Sequence, residues 1–189
     1  MKGEWCYFKS YVTPELCNKI IANSLLLSSQ DGVVGLNEGL VDNSIRKSKV
    51  RFINSNDLNF TFLFDLLWKT AISANKDFFD IQISKLDFVQ FTEYNEEYRG
   101  EYKEHHDVFW MNGDPYYHRK LSCIIQLSNP NDYDGGDFFI TEASHPLDKE
   151  ARLQGSIVYF PSCIKHKVTP VTRGTRYSLV AWFEGPKWR

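Results

Sequence analysis

"HKVTPVTRGTRYSLVAWF", residues 166–183, decides how the chain folds. From Thr175 onward it is a strand pattern, rich in β-branched and aromatic residues. Alternation puts Arg176, Ser178 and Val180 on one face and Tyr177, Leu179 and Ala181 on the other. "TRGT" reads as a turn, and Pro170 disfavours a straight central hairpin. A simple hairpin at Arg173-Gly174 would set Arg176 near Val171, about 17 Å from His166 at about 3.4 Å per residue. The chain is therefore expected to bend or change sheets near Pro170. A core needs neither the histidine at the start of this run nor the arginine ten residues later.

Working outward, the back of the chain from Ile81 reads as short strands: "DIQIS", "KLDFVQFTEY", "HHDVFW", "KLSCIIQLS", "DFFIT" and "GSIVYFP". "PNDYDGGD" reads as a turn, and "GSIVYFPS" as a strand buried on both faces. The front reads as helices. Thr13 is a plausible N-cap, Pro14 takes the first helical position, and Leu16, Ile20, Ile21 and Leu25 make one apolar face. In the second helix Phe60, Leu63, Phe64, Leu67, Trp68, Ala71 and Ile72 follow the i, i+3, i+4, i+7 rule. Between them, "SIRKSKVRFI" ends in a strand-like alternation. Two helices followed by many short strands predict a mainly β fold, a sandwich or barrel with helices packed outside.

The 189 residues fit one domain, with 1–80 a helical support region and 81–189 the β core. The apolar fraction of 42% is that of an ordinary globular protein. A formal charge of −2 gives no footprint for nucleic acid or an anionic membrane. No stretch approaches the roughly 20 apolar residues of a membrane span, and the first residues lack the apolar run of a signal peptide. Cys6, Cys17, Cys123 and Cys163 form no C-x-x-C pair and read as free thiols in a reducing, cytoplasmic setting.

The chemistry starts at "EHHD", residues 104–107. On a strand His105 and Asp107 share a face and His106 points away, so an imidazole and a carboxylate can hold two adjacent positions on one metal. Two histidines and one carboxylate with open positions is the arrangement of non-haem Fe(II) oxygenases. H-x-D alone also fits a surface pair. His118 and His145 lie in turn-like, solvated surroundings, whereas His166 follows a buried strand and suits a third ligand. Arg176 beside Ser178 suits a carboxylate, which a planar guanidinium grips in two bonds. The alternative for Arg176 is a strand-edge ion pair.

Together, "HHD" and H-x-V-T-P-V-T-x-G-x-R resemble the Fe(II)/2-oxoglutarate-dependent dioxygenases. Within them the chain is most similar to the prolyl 4-hydroxylase-like branch and the bacterial PKHD-type hydroxylases. "VTPELCNKII", "IRKSKV" and "RKLSCIIQLSNPNDYDGGDFFI" extend the resemblance along most of the chain. It implies a double-stranded β-helix (jelly roll) flanked by two or more α-helices. It implies His105, Asp107 and His166 as Fe(II) ligands, and Arg176, helped by Ser178, as the clamp on the distal carboxylate of 2-oxoglutarate. Tyr94 and Tyr102 match recurrent tyrosines of the cosubstrate pocket. Gln126 stands where the animal oxygen-sensing relatives place a tyrosine that contacts 2-oxoglutarate. Arg119 matches an arginine at the substrate mouth, or is a solvated strand end. Trp182 matches an aromatic at the pocket floor, or packs the core. Tyr98, Phe109, Trp110, Tyr116 and Tyr117 either stack on a peptide or pack their loops.

The activity implied is decarboxylation of 2-oxoglutarate by O2, with ascorbate as reductant, coupled to C–H hydroxylation. The substrate implied is a prolyl residue in a protein or peptide. Two other classes remain: a cupin-type metal enzyme that does not use 2-oxoglutarate, and a non-catalytic binding module. The first has no need of Arg176, and the second has no need to keep all four of His105, Asp107, His166 and Arg176.

Overall fold

The computed structural model describes residues 3–34, 41–110 and 113–188. In chain order the front half runs β1 (Cys6–Phe8), α1 (Pro14–Leu25), β2 (Gln30–Asp31), β3 (Arg46–Lys47), β4 (Lys49–Asn54) and α2 (Thr61–Ala74). Then come β5 (Phe88–Asn95), β6 (Glu101–His105), β7 (Tyr117–Gln126), β8 (Tyr133–Gly135) and β9 (Phe138–Ile140). The chain closes with β10 (Ile157–Pro161), β11 (His166–Val168) and β12 (Val171–Pro186).

Two antiparallel sheets form. The major sheet has the order β1-β10-β7-β12-β5-β4-β2, with β8 paired to β12. The minor sheet has the order β3-β6-β11-β9. This is the mainly β, jelly-roll architecture with flanking helices that the sequence predicts. Alternation along the major sheet sorts its two faces. Val89, Phe91, Leu121, Cys123, Ile125, Tyr159, Leu179, Ala181 and Phe183 join Cys17, Ile20, Leu63, Leu67 and Ala71 of the helices in one core. The opposite face carries Gln90, Tyr94, Ile124, Arg176, Ser178, Val180 and Trp182 and turns toward the minor sheet, with a cavity between.

Thr13 caps α1 as expected, its Oγ1 accepting from the Leu16 amide at 3.3 Å. Of the residues that helical periodicity names, Ile20, Phe60, Leu63, Phe64, Leu67 and Ala71 are buried, Leu16, Ile21 and Trp68 are half-buried, and Leu25 and Ile72 are 41% and 59% exposed. Residues 155–162 are buried throughout, as the apolar run "GSIVYFPS" requires.

Several local readings need correction. The chain does change sheets at Thr169-Pro170, between β11 and β12. "TRGT" is not a turn, however. β12 runs straight through it, and Gly174 sits at φ +71° inside the strand, opposite Tyr133 of β8. A Cβ there would lie 2.2 Å from the Asp132 carbonyl oxygen, so this position needs glycine. "PNDYDGGD" accordingly holds the short strand β8 within its turns. "DIQIS" forms no strand, and "HHDVFW" leaves the sheet after His105. The front of the chain is not helical alone, since β1 and β4 extend the major sheet through β10 and β5.

Candidate active site

The pairing of β6 with β11 sets His105 directly opposite His166 and brings the ring centroids to 4.2 Å. His105 Nδ1 lies 2.8 Å from the Lys103 carbonyl oxygen, and His166 Nδ1 lies 3.0 Å from that of Ile164. A carbonyl only accepts, so each Nδ1 carries a proton, which leaves Nε2 as the atom that can bind a metal. Both Nε2 atoms turn to Asp107: His105 Nε2 is 3.7 Å from Oδ1, and His166 Nε2 is 3.5 Å from Oδ2. One donor atom from each of the three residues lies within 4.8 Å of the others.

The walls hold these groups still. Tyr102 stacks on His105 at 3.5 Å, and Phe160 abuts His166 edge-on at 4.7 Å. Burial, joined by the neighbouring His166, pushes the His105 pKa down to about 3, so the imidazole is neutral at pH 7. Burial opposes ionisation of Asp107, but His166, His105, Arg119 and the Ser122 hydrogen bond outweigh it and hold the carboxyl below its ordinary range. Two imidazoles and one carboxylate, converging at one wall of the cavity, are a donor set that fits a divalent metal.

Asp107 does not reach this position by strand alternation. It lies beyond β6, where its amide donates to the Ser162 carbonyl at 2.8 Å. Its Oδ2 accepts a 2.6 Å hydrogen bond from Ser122, whose hydroxyl also lies 2.9 Å from that of Ser162. Ser122 is a residue of the site that sequence reasoning missed. Its one signal is a polar residue within the buried apolar run of β7.

The cavity beside this cluster has a volume of about 300 Å3. Arg176, opposite Tyr94 on the neighbouring strand, lines it and is 1% exposed. Its Nη2 donates to Gln126 Oε1 at 2.8 Å, while its buried Nη1 has no acceptor among the described residues. A buried, unpaired guanidinium nitrogen is costly and calls for an anion. The strand-edge ion pair considered for Arg176 is thus absent among the described residues. Ser178, Tyr94, Tyr102 and Trp182 line the same cavity. Gln126 does not. It lies behind Arg176 and holds the guanidinium in place.

Trp182 forms wall rather than core, and its buried Nε1 also lacks an acceptor among the described residues. Arg119 is no solvated strand end. Its guanidinium lies 3.8 Å from the Trp182 ring centroid and 4.9 Å from that of Phe109. Arg46, which sequence reasoning passed over within "IRKSKV", is buried at 6% exposure and lines the cavity over the Tyr102 ring at 4.6 Å. Among the aromatics expected at the mouth, Phe109 lines the cavity. Tyr98 sits away from it with its hydroxyl on the Glu93 carbonyl. Trp110, Tyr116 and Tyr117 are exposed, and "FWMNGDPYYHR" includes residues 111–112, which lie outside the described residues. His145 is exposed, but His118 is buried, contrary to expectation, and its Nδ1 accepts from the Trp188 amide at 3.4 Å.

Residues 89–184 match the model of the 2OG-Fe(II) oxygenase superfamily. The chain belongs to this superfamily. A PKHD-type hydroxylase of Crocosphaera subtropica is 35% identical over 81 residues, 43% of this chain and 36% of the relative. The PKHD-type hydroxylase PiuC of Pseudomonas aeruginosa is 40% identical over 62 residues, 33% of this chain and 27% of the relative. The matched stretch thus spans about a third of these curated relatives. Solved superfamily structures share the fold over nearly the whole chain. A Pseudomonas putida prolyl-4-hydroxylase aligns with TM-score 0.67 at 19% identity, over 97% of this chain and 94% of its own. A prolyl hydroxylase from Trichoplax adhaerens, in complex with a hypoxia inducible factor peptide fragment, aligns with TM-score 0.74 at 16% identity, over 96% and 83%. No helix among the described residues is long and apolar enough to cross a membrane.

Proposed function

We propose that this chain is an Fe(II)- and 2-oxoglutarate-dependent hydroxylase. The observation that carries the reading is one cavity with two complementary ends. At one end two imidazoles and a carboxylate converge, and at the other stands a buried arginine whose Nη1 has no acceptor among the described residues. His105, Asp107 and His166 would hold Fe(II), and Arg176 with Ser178 would hold the distal carboxylate of 2-oxoglutarate. Bound iron would supply the oxidative decarboxylation of 2-oxoglutarate by O2 to succinate and CO2, with the second oxygen atom entering a substrate C–H bond.

The residues of this chain do the positioning. Ser122 fixes the Asp107 carboxylate, and the two backbone carbonyls fix the imidazole tautomers. Gln126 keeps the Arg176 fork from rotating. Tyr94, Tyr102 and Trp182 wall the cosubstrate from bulk water. The cupin-type and non-catalytic alternatives leave the buried Arg176 without a purpose.

The substrate we favour is a prolyl residue in a protein or peptide, with ascorbate as the reductant of the iron and the cytoplasm as the compartment. The prolyl hydroxylases that share the fold, one of them bound to a peptide fragment, support the first of these. The test is succinate formation by purified protein with Fe(II), 2-oxoglutarate and O2, with and without proline-containing peptides. Iron-dependent succinate, increased by peptide, is expected. Absence of succinate, together with absence of Fe(II)-dependent 2-oxoglutarate binding, would overturn the reading.

A further inference from the structure

Among the described residues, the cavity walls hold more positive charge than a metal and cosubstrate would balance. Among the described residues its walls carry three guanidinium groups, of Arg46, Arg119 and Arg176, and one carboxylate, Asp107. A divalent metal and a dianionic 2-oxoglutarate would cancel, so loading the site leaves the excess in place. Arg176 has its assignment, which isolates Arg46 and Arg119.

Neither arginine has an acidic hydrogen-bond partner among the described residues. Arg46 Nε donates to Ser48 Oγ at 2.8 Å and Nη1 to the Val33 carbonyl at 3.1 Å, two neutral acceptors that use part of its fork. Arg119 is clamped between Phe109 and Trp182, which fixes its plane without satisfying its N–H groups. Asp107 and Glu184 favour the Arg119 charge through space, but the neighbouring acids make their close contacts with other groups. Glu101 binds Lys47 and Lys103, Glu184 binds Lys85, and Asp107 binds Ser122 between the histidines. Both arginines line the same cavity of about 300 Å3, Arg46 over the Tyr102 ring at 4.6 Å, and Tyr102 in turn stacks on His105 of the metal cluster.

Buried cations held rigid with spare donors form a ready anion site, and a guanidinium fork matches a carboxylate in two parallel bonds. The rest of the wall is largely apolar and aromatic: Phe52, Phe88, Ile124, Phe138, Val168 and Val180. We propose that the substrate presents a carboxylate to Arg46 and Arg119, so that this cavity selects acidic substrates. The proposal rests on the 2-oxoglutarate reading of the same site. The carboxylate has two sources, the chain end of a free acid or an acidic side chain beside the hydroxylated residue.

The test is a binding titration under argon on the full chain loaded with Mn(II) and 2-oxoglutarate, whose own binding is measured first. Two matched probe pairs are used: N-acetyl-proline against its amide, and N-acetyl-Pro-Glu-amide against N-acetyl-Pro-Gln-amide. The charged member of at least one pair is expected to bind about ten-fold tighter or more. Preference in the first pair assigns the chain-end carboxylate, and preference in the second the side chain. Arg46→Gln/Arg119→Gln should abolish the preference while 2-oxoglutarate binding, which also certifies the fold, survives. Equal or undetectable binding of both members in both pairs would overturn the proposal, as would a preference that survives in the double variant. Failure of 2-oxoglutarate to bind the wild type would instead overturn the reading beneath it.

Discussion

Arg176 and Ser122 are the residues on which the proposed chemistry turns, and each was legible to a different degree. Arg176 could be picked out because a charged residue on an apolar strand face needs an anion. Ser122 could not, because a serine in a strand costs little and its partner Asp107 is distant in sequence. The structure makes Ser122 the hydrogen-bond donor that fixes one carboxylate oxygen at 2.6 Å. Ser122→Ala is expected to weaken metal binding about 10–100-fold, and Ser122→Thr to restore most of it, both read by Mn(II) titration. Unchanged affinity in the alanine variant would mean that Asp107 is held by its backbone bond to Ser162 alone. Asp107 itself was found for an incomplete reason. The H-x-D spacing was right, but strand alternation was not what aligned it, since β6 ends at His105 and the next residues pair with the β10–β11 connection.

At the scale of elements, periodicity was the reliable signal and turn chemistry the weak one. The helix faces were legible because burial repeats with the helical turn, although Leu25 and Ile72 near the C-terminal ends of α1 and α2 are exposed. Leu67 is fully buried and Leu58 is 87% exposed. Leu67→Ala is therefore expected to cost roughly 2–5 kcal/mol, and Leu58→Ala less than about 0.5 kcal/mol, by urea unfolding. β1 was missed because three residues are too few to show alternation, and its partner β10 lies far along the chain. "TRGT" was misread because a glycine at positive φ marks a turn in most contexts. Here it lets β12 pass close to Asp132 while keeping its pairing with β8. Gly174→Ala is expected to destabilise by at least about 1–3 kcal/mol. A neutral outcome would show that the strand can relax away from the 132–133 backbone.

For the whole molecule, the fold class followed from two helices ahead of many short strands, and alternation in the last strand sorted Arg176, Ser178 and Val180 from Tyr177, Leu179 and Ala181. The charge inside the cavity did not, because Arg46 comes from the front of the chain and only the closed minor sheet brings it over Tyr102. The closed fold also sets thiol reactivity. Cys6, Cys17 and Cys123 are buried, and burial pushes the first two up to about 12 and about 11, while Cys163 is half-buried. Iodoacetamide at pH 8 should label one thiol, Cys163, in the native protein and all four in denaturant; labelling of Cys17 or Cys123 at a similar rate would contradict the packing of the helices on the sheet. The joint placement of a metal cluster and a carboxylate clamp in one cavity is tested most directly by 2-oxoglutarate binding under argon. It is followed calorimetrically with and without Fe(II), in the wild type, His166→Ala and Arg176→Ala. The expected result is Fe(II)-dependent binding in the wild type, loss of metal binding in His166→Ala, and in Arg176→Ala intact metal binding with 2-oxoglutarate weakened by roughly 2–5 kcal/mol. Binding of 2-oxoglutarate that ignores Fe(II), or an Arg176→Ala variant that binds it as the wild type does, would contradict the assignment.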